Sequence, residues 1–425
     1  MDYLALPPAA AVAGIVHVPA SKSATNRALV LAALSETDVE IVRPLESADI
    51  RSLKRCLEAM GASFRASPEG LVVRGPVHGR GDDEVVLDAG DSGTAARFLA
   101  AVAAATPGRF LLTGSPRLRE RPIGELVQAL AQAGASVSFA SQEGSLPLAI
   151  RGVSLRSGLV EVDASRSSQF VSALLLAGVA VEGGLDVRPS GPIASAPYVR
   201  TTLETLAAFG HRVSAGPVLR SRRGAATPER YEPPGDYSSG LPMLAAAGAA
   251  GGSVTALGLS WPSHDADAQA LPALENIGLV LKRVVGGIAA AGERGSLRPV
   301  HAAATDFPDA VPALAALAAL APGESRFRGI GHLRLKESDR IEALAALLTR
   351  AGAFAEAQED ELVVIGPIAA LPRGAERLPT FDDHRIAMAA SLLSLAVPGF
   401  LIENPGCVGK SYPDFFRDLE SLVRR

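Results

Sequence analysis

The stretch Gly90-Asp91-Ser92-Gly93-Thr94-Ala95-Ala96-Arg97-Phe98-Leu99-Ala100 sets a turn of small and hydroxyl residues directly ahead of an Ala/Leu-rich run, and the chain carries that arrangement six times. Ser92 reads as a helix N-cap, because its hydroxyl can accept from a free N–H of the first turn. Outward from it, Ser21-Lys22-Ser23 precedes Ala28-Leu29-Val30-Leu31 in the same way. Ser167-Ser168-Gln169, Asp236-Tyr237-Ser238-Ser239, Asp306-Phe307-Pro308-Asp309 and Asp382-Asp383-His384-Arg385 open the remaining four units. The spacing is about 70–75 residues, and each unit continues through a Gly or Pro turn into a short extended stretch such as Phe110-Leu111-Leu112 or Phe400-Leu401-Ile402. A second, amphipathic helix follows, with Leu or Ile at i, i+3, i+4 and i+7. Gly61, Gly134, Gly210, Gly278 and Gly352 are predicted to end these second helices in the left-handed conformation, before strands such as Leu71–Arg74 and Leu362–Ile365. The fourth unit is the least regular: Pro272 lies in its second helix, and the strand after Gly278 is unusually long.

A chain of 425 residues exceeds what one core usually fills, so six β/α units favour two pseudo-symmetric α/β domains of three units each over a solenoid or a closed barrel. The basic, Pro/Gly-rich stretch from Arg220-Ser221-Arg222-Arg223-Gly224 to Gly235 is the expected crossing, which divides the chain into residues 21–236 and residues 1–20 plus 237–425. A cleft between two such domains is a common ligand site. With 41 Lys+Arg against 45 Asp+Glu, no global positive field favours nucleic acid or an anionic membrane. Cys56 and Cys407 stand far apart with no zinc spacing, which fits a reducing compartment and predicts no metal site. The opening Met-Asp-Tyr-Leu-Ala-Leu-Pro-Pro does not read as a signal peptide, and the uncharged stretch from Tyr237 to Ser263 is too interrupted to span a bilayer.

Any anion site is therefore local, and the helix starts point to it. Lys22, Ser23 and Arg27 occupy the first helix's opening turns, Arg97 follows Ser92-Gly93-Thr94, Ser167 and Ser168 supply hydroxyls, and His384-Arg385 opens the sixth unit. A helix amino end already carries free N–H groups and partial positive charge, so cations added there imply bound phosphate or carboxylate. The alternative is pairing of each cation with a nearby carboxylate on the surface. In the second helices, Pro122 is placed at a first turn approached by Arg117, Arg119 and Arg121, while Lys336 and Arg340 are placed at i, i+4 on one helical face with Glu337 beside them. Glu337 is then either half of a surface salt bridge or a proton-transfer group beside an anion. No GxxxxGK[ST], GxSxG, HExxH or GxGxxG motif occurs, so the residues alone indicate a two-domain protein that clamps one or two small polyanions.

At these same positions the sequence resembles the 5-enolpyruvylshikimate-3-phosphate synthases, over nearly its whole length. The carriers are Pro19-Ala20-Ser21-Lys22-Ser23 with Arg27, Gly90–Arg97, Arg119-Glu120-Arg121-Pro122-Ile123, Ser167-Ser168-Gln169-Phe170, Ser195-Ala196-Pro197-Tyr198, Lys336–Arg340, Asp383-His384-Arg385 and Lys410-Ser411-Tyr412-Pro413. The resemblance implies two domains of three βαβαββ units and a metal-free, cofactor-free addition and elimination in a monomeric cytoplasmic enzyme. It implies that shikimate 3-phosphate meets Lys22, Ser23, Arg27, Ser167, Ser168, Gln169, Ser195, Tyr198, Asp309 and Lys336. Phosphoenolpyruvate is implied to meet Lys22, Gly93, Arg121, Gln169, Arg340, Arg385 and Lys410. Asp309 is then the base for the attacking hydroxyl, and Glu337, with Lys22, moves the proton at the methylene carbon.

Three features depart from the family pattern: Asp91 stands where many members carry Asn, His332 replaces an Asn that contacts shikimate in some members, and the fourth unit diverges around Trp261 to Gly287. Asp309 also suits a plain helix N-cap. Two other functions stay open at this point. A sister enolpyruvyl transferase acting on UDP-N-acetylglucosamine normally has a loop cysteine, and the corresponding Ser115–Arg121 has none. A non-catalytic anion binder of the same fold would keep Arg27 and Arg385 but lose the pair Asp309 and Glu337, and both are present.

Overall fold

The computed structural model describes residues 2–6, 9–368 and 376–424, so Met1, Pro7 and Pro8 of the opening stretch lie outside the described residues. The chain divides into two units, Ala20–Pro233 and Met1–Pro19 with Pro234–Arg425. Each has a hydrophobic cluster of its own, built largely from Ala, Leu, Val and Ile.

In the unit Ala20–Pro233, three four-stranded sheets share one plan. Glu84–Asp88 pairs parallel with Gly108–Thr113, placing Val85 opposite Phe110, and Leu148–Gly152 and Ser136–Phe139 follow as an antiparallel pair. Parallel strands need a crossover, and the helix Gly93–Ala105 supplies it. Gly158–Asp163, Leu185–Ser190, Leu219–Arg222 and Arg212–Ser214 repeat the order. In the remaining sheet the parallel partner of Val39–Val42 is Arg230–Tyr231, from the far end of the unit. The helices Lys22–Ala33, Gly93–Ala105 and Ser168–Gly178 are buried almost all round; the last two are largely apolar, as such helices must be, and the first also buries Thr25, Asn26 and Arg27. Their alanines let Gly93–Ala105 pack closely on Ser168–Gly178, while strands such as Glu84–Asp88 alternate exposed and buried residues and so cover the helices with one face.

The other unit follows the same plan with borrowed strands. Ala11–His17 is the parallel partner of Gly252–Leu257, and Tyr3–Leu4 pairs with Phe400–Glu403, the strand that lies parallel to Glu376–Leu378. Tyr237–Ala250, Val311–Leu320 and His384–Ala396 are its buried helices. No helix among the described residues is long and apolar enough to cross a membrane.

The five glycine stops adopt the left-handed conformation, with φ of +95° at Gly61, +89° at Gly134, +76° at Gly210, +124° at Gly278 and +97° at Gly352. Four local expectations are corrected. Pro122 lies ahead of its helix, which runs Gly124–Gln132, and Pro116 takes the first turn of an additional short helix, Pro116–Arg119. Lys336 and Glu337 do not share a helical face with Arg340, because Asp339 accepts from the Glu342 N–H and starts the helix at Arg340. The long strand after Gly278 is a hairpin, Val280–Val284 with Gly287–Gly292, folded at Gly286 with φ of +74°. Arg220 and Arg222 belong to a strand instead of the crossing stretch.

Candidate active site

In the unit Ala20–Pro233, the expected anion-binding residues sit on the amino ends of the buried helices. Ser21 caps Lys22–Ala33 by accepting from the Ala24 N–H at 3.3 Å, Ser92 caps Gly93–Ala105 in the same way, and Ser167 caps Ser168–Gly178 through the Gln169 N–H. Gln169 Nε2 donates to Thr94 Oγ1 at 3.1 Å and thereby joins two of these ends. Lys22 Nζ lies 3.4 Å from the buried Asp49 carboxylate, a partner that sequence reasoning did not find.

Arg27 is 2% exposed and donates to Thr202 Oγ1 at 2.7 Å, to Ser172 Oγ at 3.2 Å and to the carbonyls of Ser23 and Tyr198, with its guanidinium over the Phe98 ring. It therefore ties three helices together and holds Tyr198 in place. Arg97 behaves similarly, donating to the carbonyls of Gly93 and Pro122. Arg117 pairs with Glu120 and Arg119 donates to the Gly114 carbonyl, whereas Arg121 Nε is buried without a hydrogen-bond partner among the described residues. A Cβ on Gly93 would lie 2.6 Å from both Arg121 Nη1 and Arg97 Nη1, so only glycine lets the two guanidiniums close over that helix end. Ser195 is buried and takes a left-handed φ of +55°, a strained state for a non-glycine residue of the kind that collects at functional sites.

In the other unit, Arg340 organises the charges. It is buried and donates Nε and Nη2 to the two Asp383 oxygens at 2.7 and 3.2 Å, Nη1 to Asp309 Oδ1 at 2.7 Å and Nη2 to Glu337 Oε2 at 2.7 Å. Burial works against its charge, but the carboxylates outweigh that and hold its pKa well above the ordinary arginine value. Asp309 is not the helix cap, since Ala310 takes that position without a side-chain bond. Its carboxylate faces Arg340 and, at 4.0 Å, Lys336 Nζ. Burial alone would raise the Asp309 pKa, yet Lys336, Arg340 and Arg385 hold it well below the usual carboxylate range.

Lys410 Nζ lies 3.6 Å from Glu337 Oε1. Asp383 caps His384–Ala396 by accepting from the Arg385 N–H while it also grips Arg340, and Ser338 donates to it at 3.0 Å. Arg385 donates to the carbonyl and hydroxyl of Ser238, whose own N–H and hydroxyl bond Asp236, the cap of Tyr237–Ala250. Arg385 Nε and His332 Nε2 are buried without a partner among the described residues. Burial, followed by the charge of Lys336, lowers the His332 pKa to about 4, so that imidazole is neutral near pH 7. Cap patterns made Asp383 and Asp236 visible in the sequence, but not their second partners Arg340 and Arg385. No group of three or more His, Cys, Asp and Glu side chains among the described residues is placed to hold a metal.

The pattern of the EPSP synthase (3-phosphoshikimate 1-carboxyvinyltransferase) family matches residues 6–419. The chain is 37% identical to a 3-phosphoshikimate 1-carboxyvinyltransferase of Vibrio atlanticus (strain LGP32), with 99% of this chain and all of the relative covered. It is 36% identical to that of Shewanella amazonensis (strain ATCC BAA-1098 / SB2B), over the full length of both. The EPSP synthase structure from Acinetobacter baumannii superposes with a TM-score of 0.80 at 25% identity, covering 99% of this chain and 98% of that one.

Proposed function

The chain belongs to the EPSP synthase family, and from that premise we infer how its residues carry the enolpyruvyl group of phosphoenolpyruvate to the 5-hydroxyl of shikimate 3-phosphate, with release of phosphate, on the route to aromatic amino acids. The observation that carries the residue assignment is the single guanidinium of Arg340 joining Asp309 to Glu337, which sets two carboxylates with different tasks beside one cationic group.

Lys22, Ser23, Arg27, Ser167, Ser168, Gln169, Ser195, Tyr198, Asp309 and Lys336 receive shikimate 3-phosphate. Hydroxyls and free N–H groups at capped helix ends supply neutral donors for the phosphate oxygens. Lys22, Gly93, Arg121, Gln169, Arg340, Arg385 and Lys410 receive phosphoenolpyruvate, where arginine forks match carboxylate and phosphate oxygens.

Asp309 takes the 5-hydroxyl proton as that oxygen bonds to C2 of phosphoenolpyruvate. Glu337, assisted by Lys22, gives a proton to C3, so the methylene becomes a methyl group on a tetrahedral adduct. In the elimination, Glu337 takes a proton back from the methyl group, the double bond returns, and the C2–O bond to phosphate breaks. Phosphate leaves with the proton held on Asp309. The cations around Asp309 keep it ionised but also make it a weak base; the negative charge of the bound substrates offsets them, and the same cations steady the anionic adduct.

Closure of the two units on substrate, in a monomeric cytoplasmic enzyme, belongs to the same reading. Phosphate release from phosphoenolpyruvate tests the reading, with shikimate 3-phosphate and UDP-N-acetylglucosamine compared as acceptors. Release with shikimate 3-phosphate alone is expected, and release with the sugar nucleotide alone overturns the acceptor.

A further inference from the structure

Both oxygens of Glu337 are held by cations assigned above to phosphoenolpyruvate: Oε2 by Arg340 Nη2 at 2.7 Å and Oε1 by Lys410 Nζ at 3.6 Å. The Glu337 and Lys410 side chains are each 13% exposed and that of Arg340 is 1% exposed, so little water screens these contacts. Two cations at that range favour the carboxylate. A carboxylate has no proton to give, yet the addition step begins with a proton delivered to C3. Arg340 is already committed to Asp383 through Nε and Nη2 and to Asp309 through Nη1, so an incoming anion has the Glu337 contact to take.

We propose that phosphoenolpyruvate displaces Glu337 from Arg340 and Lys410, and that Glu337 takes up a proton from solvent in the same step, so that the substrate charges its own proton donor. This rests on the assignment of Arg340 and Lys410 to phosphoenolpyruvate. The charged groups described around Glu337 press in one direction. Arg340, from the helix Arg340–Arg350, and Lys410, from the turn Pro405–Lys410, turn to the ligand. Asp309, ahead of the helix Val311–Leu320, and Asp383, across Arg340, stay as fixed negative charges, while Lys336 faces Asp309 and Arg385 is bonded to Ser238. The entering carboxylate and phosphate add further negative charge. Lost cations and added anions both favour the neutral acid. Departure of phosphate and product returns the cations to Glu337 and releases the proton, so the cycle balances.

The test is titration calorimetry on the full-length protein saturated with shikimate 3-phosphate. The titrant is phospholactate, a saturated analogue that keeps the carboxylate and phosphate but cannot react. Measurements at pH 7.5 in buffers of different ionisation enthalpy count the protons exchanged. At that pH the analogue's phosphate is almost fully ionised, and any change in it releases protons rather than taking them up. Uptake of at least about 0.3 proton per ligand is expected, reduced to none or to net release in Glu337→Gln with binding retained. No uptake by the wild-type protein, or equal uptake in both proteins, overturns the proposal while leaving the enzymatic reading intact. Absence of phospholactate binding together with absence of phosphate release from phosphoenolpyruvate overturns the enzymatic reading and the proposal with it. If Glu337→Gln does not fold, the wild-type protein alone decides: linkage requires its phospholactate affinity to fall about 2- to 10-fold per pH unit above neutrality, and a flat profile overturns the proposal.

Discussion

Arg340 shows why a residue assigned as a ligand contact also holds the structure together. Removing it leaves Asp309, Glu337 and Asp383 crowded with no guanidinium among them, and breaking a buried ion pair from one side costs about 3–5 kcal/mol. Arg340→Gln is therefore expected to lower the unfolding free energy by that amount, and Arg340→Lys to recover little of it, because an ammonium cannot bridge three carboxylates in one plane. Chemical denaturation of the two variants checks this. Glu337→Gln keeps the size of the side chain and removes its proton chemistry. Turnover is expected to fall roughly 10²- to 10⁴-fold with shikimate 3-phosphate affinity preserved, and unchanged phosphate release would sink its role. Gly93→Ala places a methyl group against the guanidinium ends of Arg121 and Arg97, which must shift away on the phosphoenolpyruvate side. Steady-state kinetics should show KM for phosphoenolpyruvate rising far more than KM for shikimate 3-phosphate.

Among the elements, the capped helix starts carry most of what local sequence encodes. Ser92, Ser167, Asp236 and Asp383 each accept an N–H of the helix they precede, and the five second-helix glycines turn left-handed where the apolar period stops. These features depend on a few consecutive residues, so they are readable without the fold. The fourth unit was less legible because its second helix is reduced to a short turn, Asp267–Ala270, followed by Leu271–Asn276. Asp265 starts that turn by accepting from the Asp267 N–H at 2.9 Å. Burial, then the charge of Asp236, pushes its pKa up to about 7. An acid whose folded pKa lies above its unfolded value loses stability as pH rises, here from about 4 to about 7, and the loss is complete above that window. Asp265→Asn should therefore be more stable than the wild-type protein at pH 8, by on the order of 2 kcal/mol, and no more stable near pH 4. Thermal melts of both proteins at the two pH values decide it. His332, with its pKa lowered to about 4, has the opposite sign and is common to both proteins, so it cancels in the difference.

At the scale of the whole molecule, the proposed reading expects the two units to close on substrate. Small-angle scattering should show a smaller radius of gyration with shikimate 3-phosphate and phospholactate bound, and an unchanged radius would refute closure. The sequence by itself determined the six β/α units, the capped starts of five of them, five glycine stops, and the families of cations gathered at helix ends, since periodicity, capping and left-handed backbone are set by neighbours along the chain. The tertiary structure alone decided which charges meet. Asp309 serves Arg340, 31 residues away, instead of capping a helix; Asp383 reaches the same guanidinium across 43 residues, and Lys22 finds Asp49 across 27. Strand partners were hidden for the same reason, with Tyr3–Leu4 and Arg230–Tyr231 completing sheets whose other strands lie far along the chain. Coulomb attraction and sheet pairing act through space, and no local pattern records which distant segment folding will bring within reach.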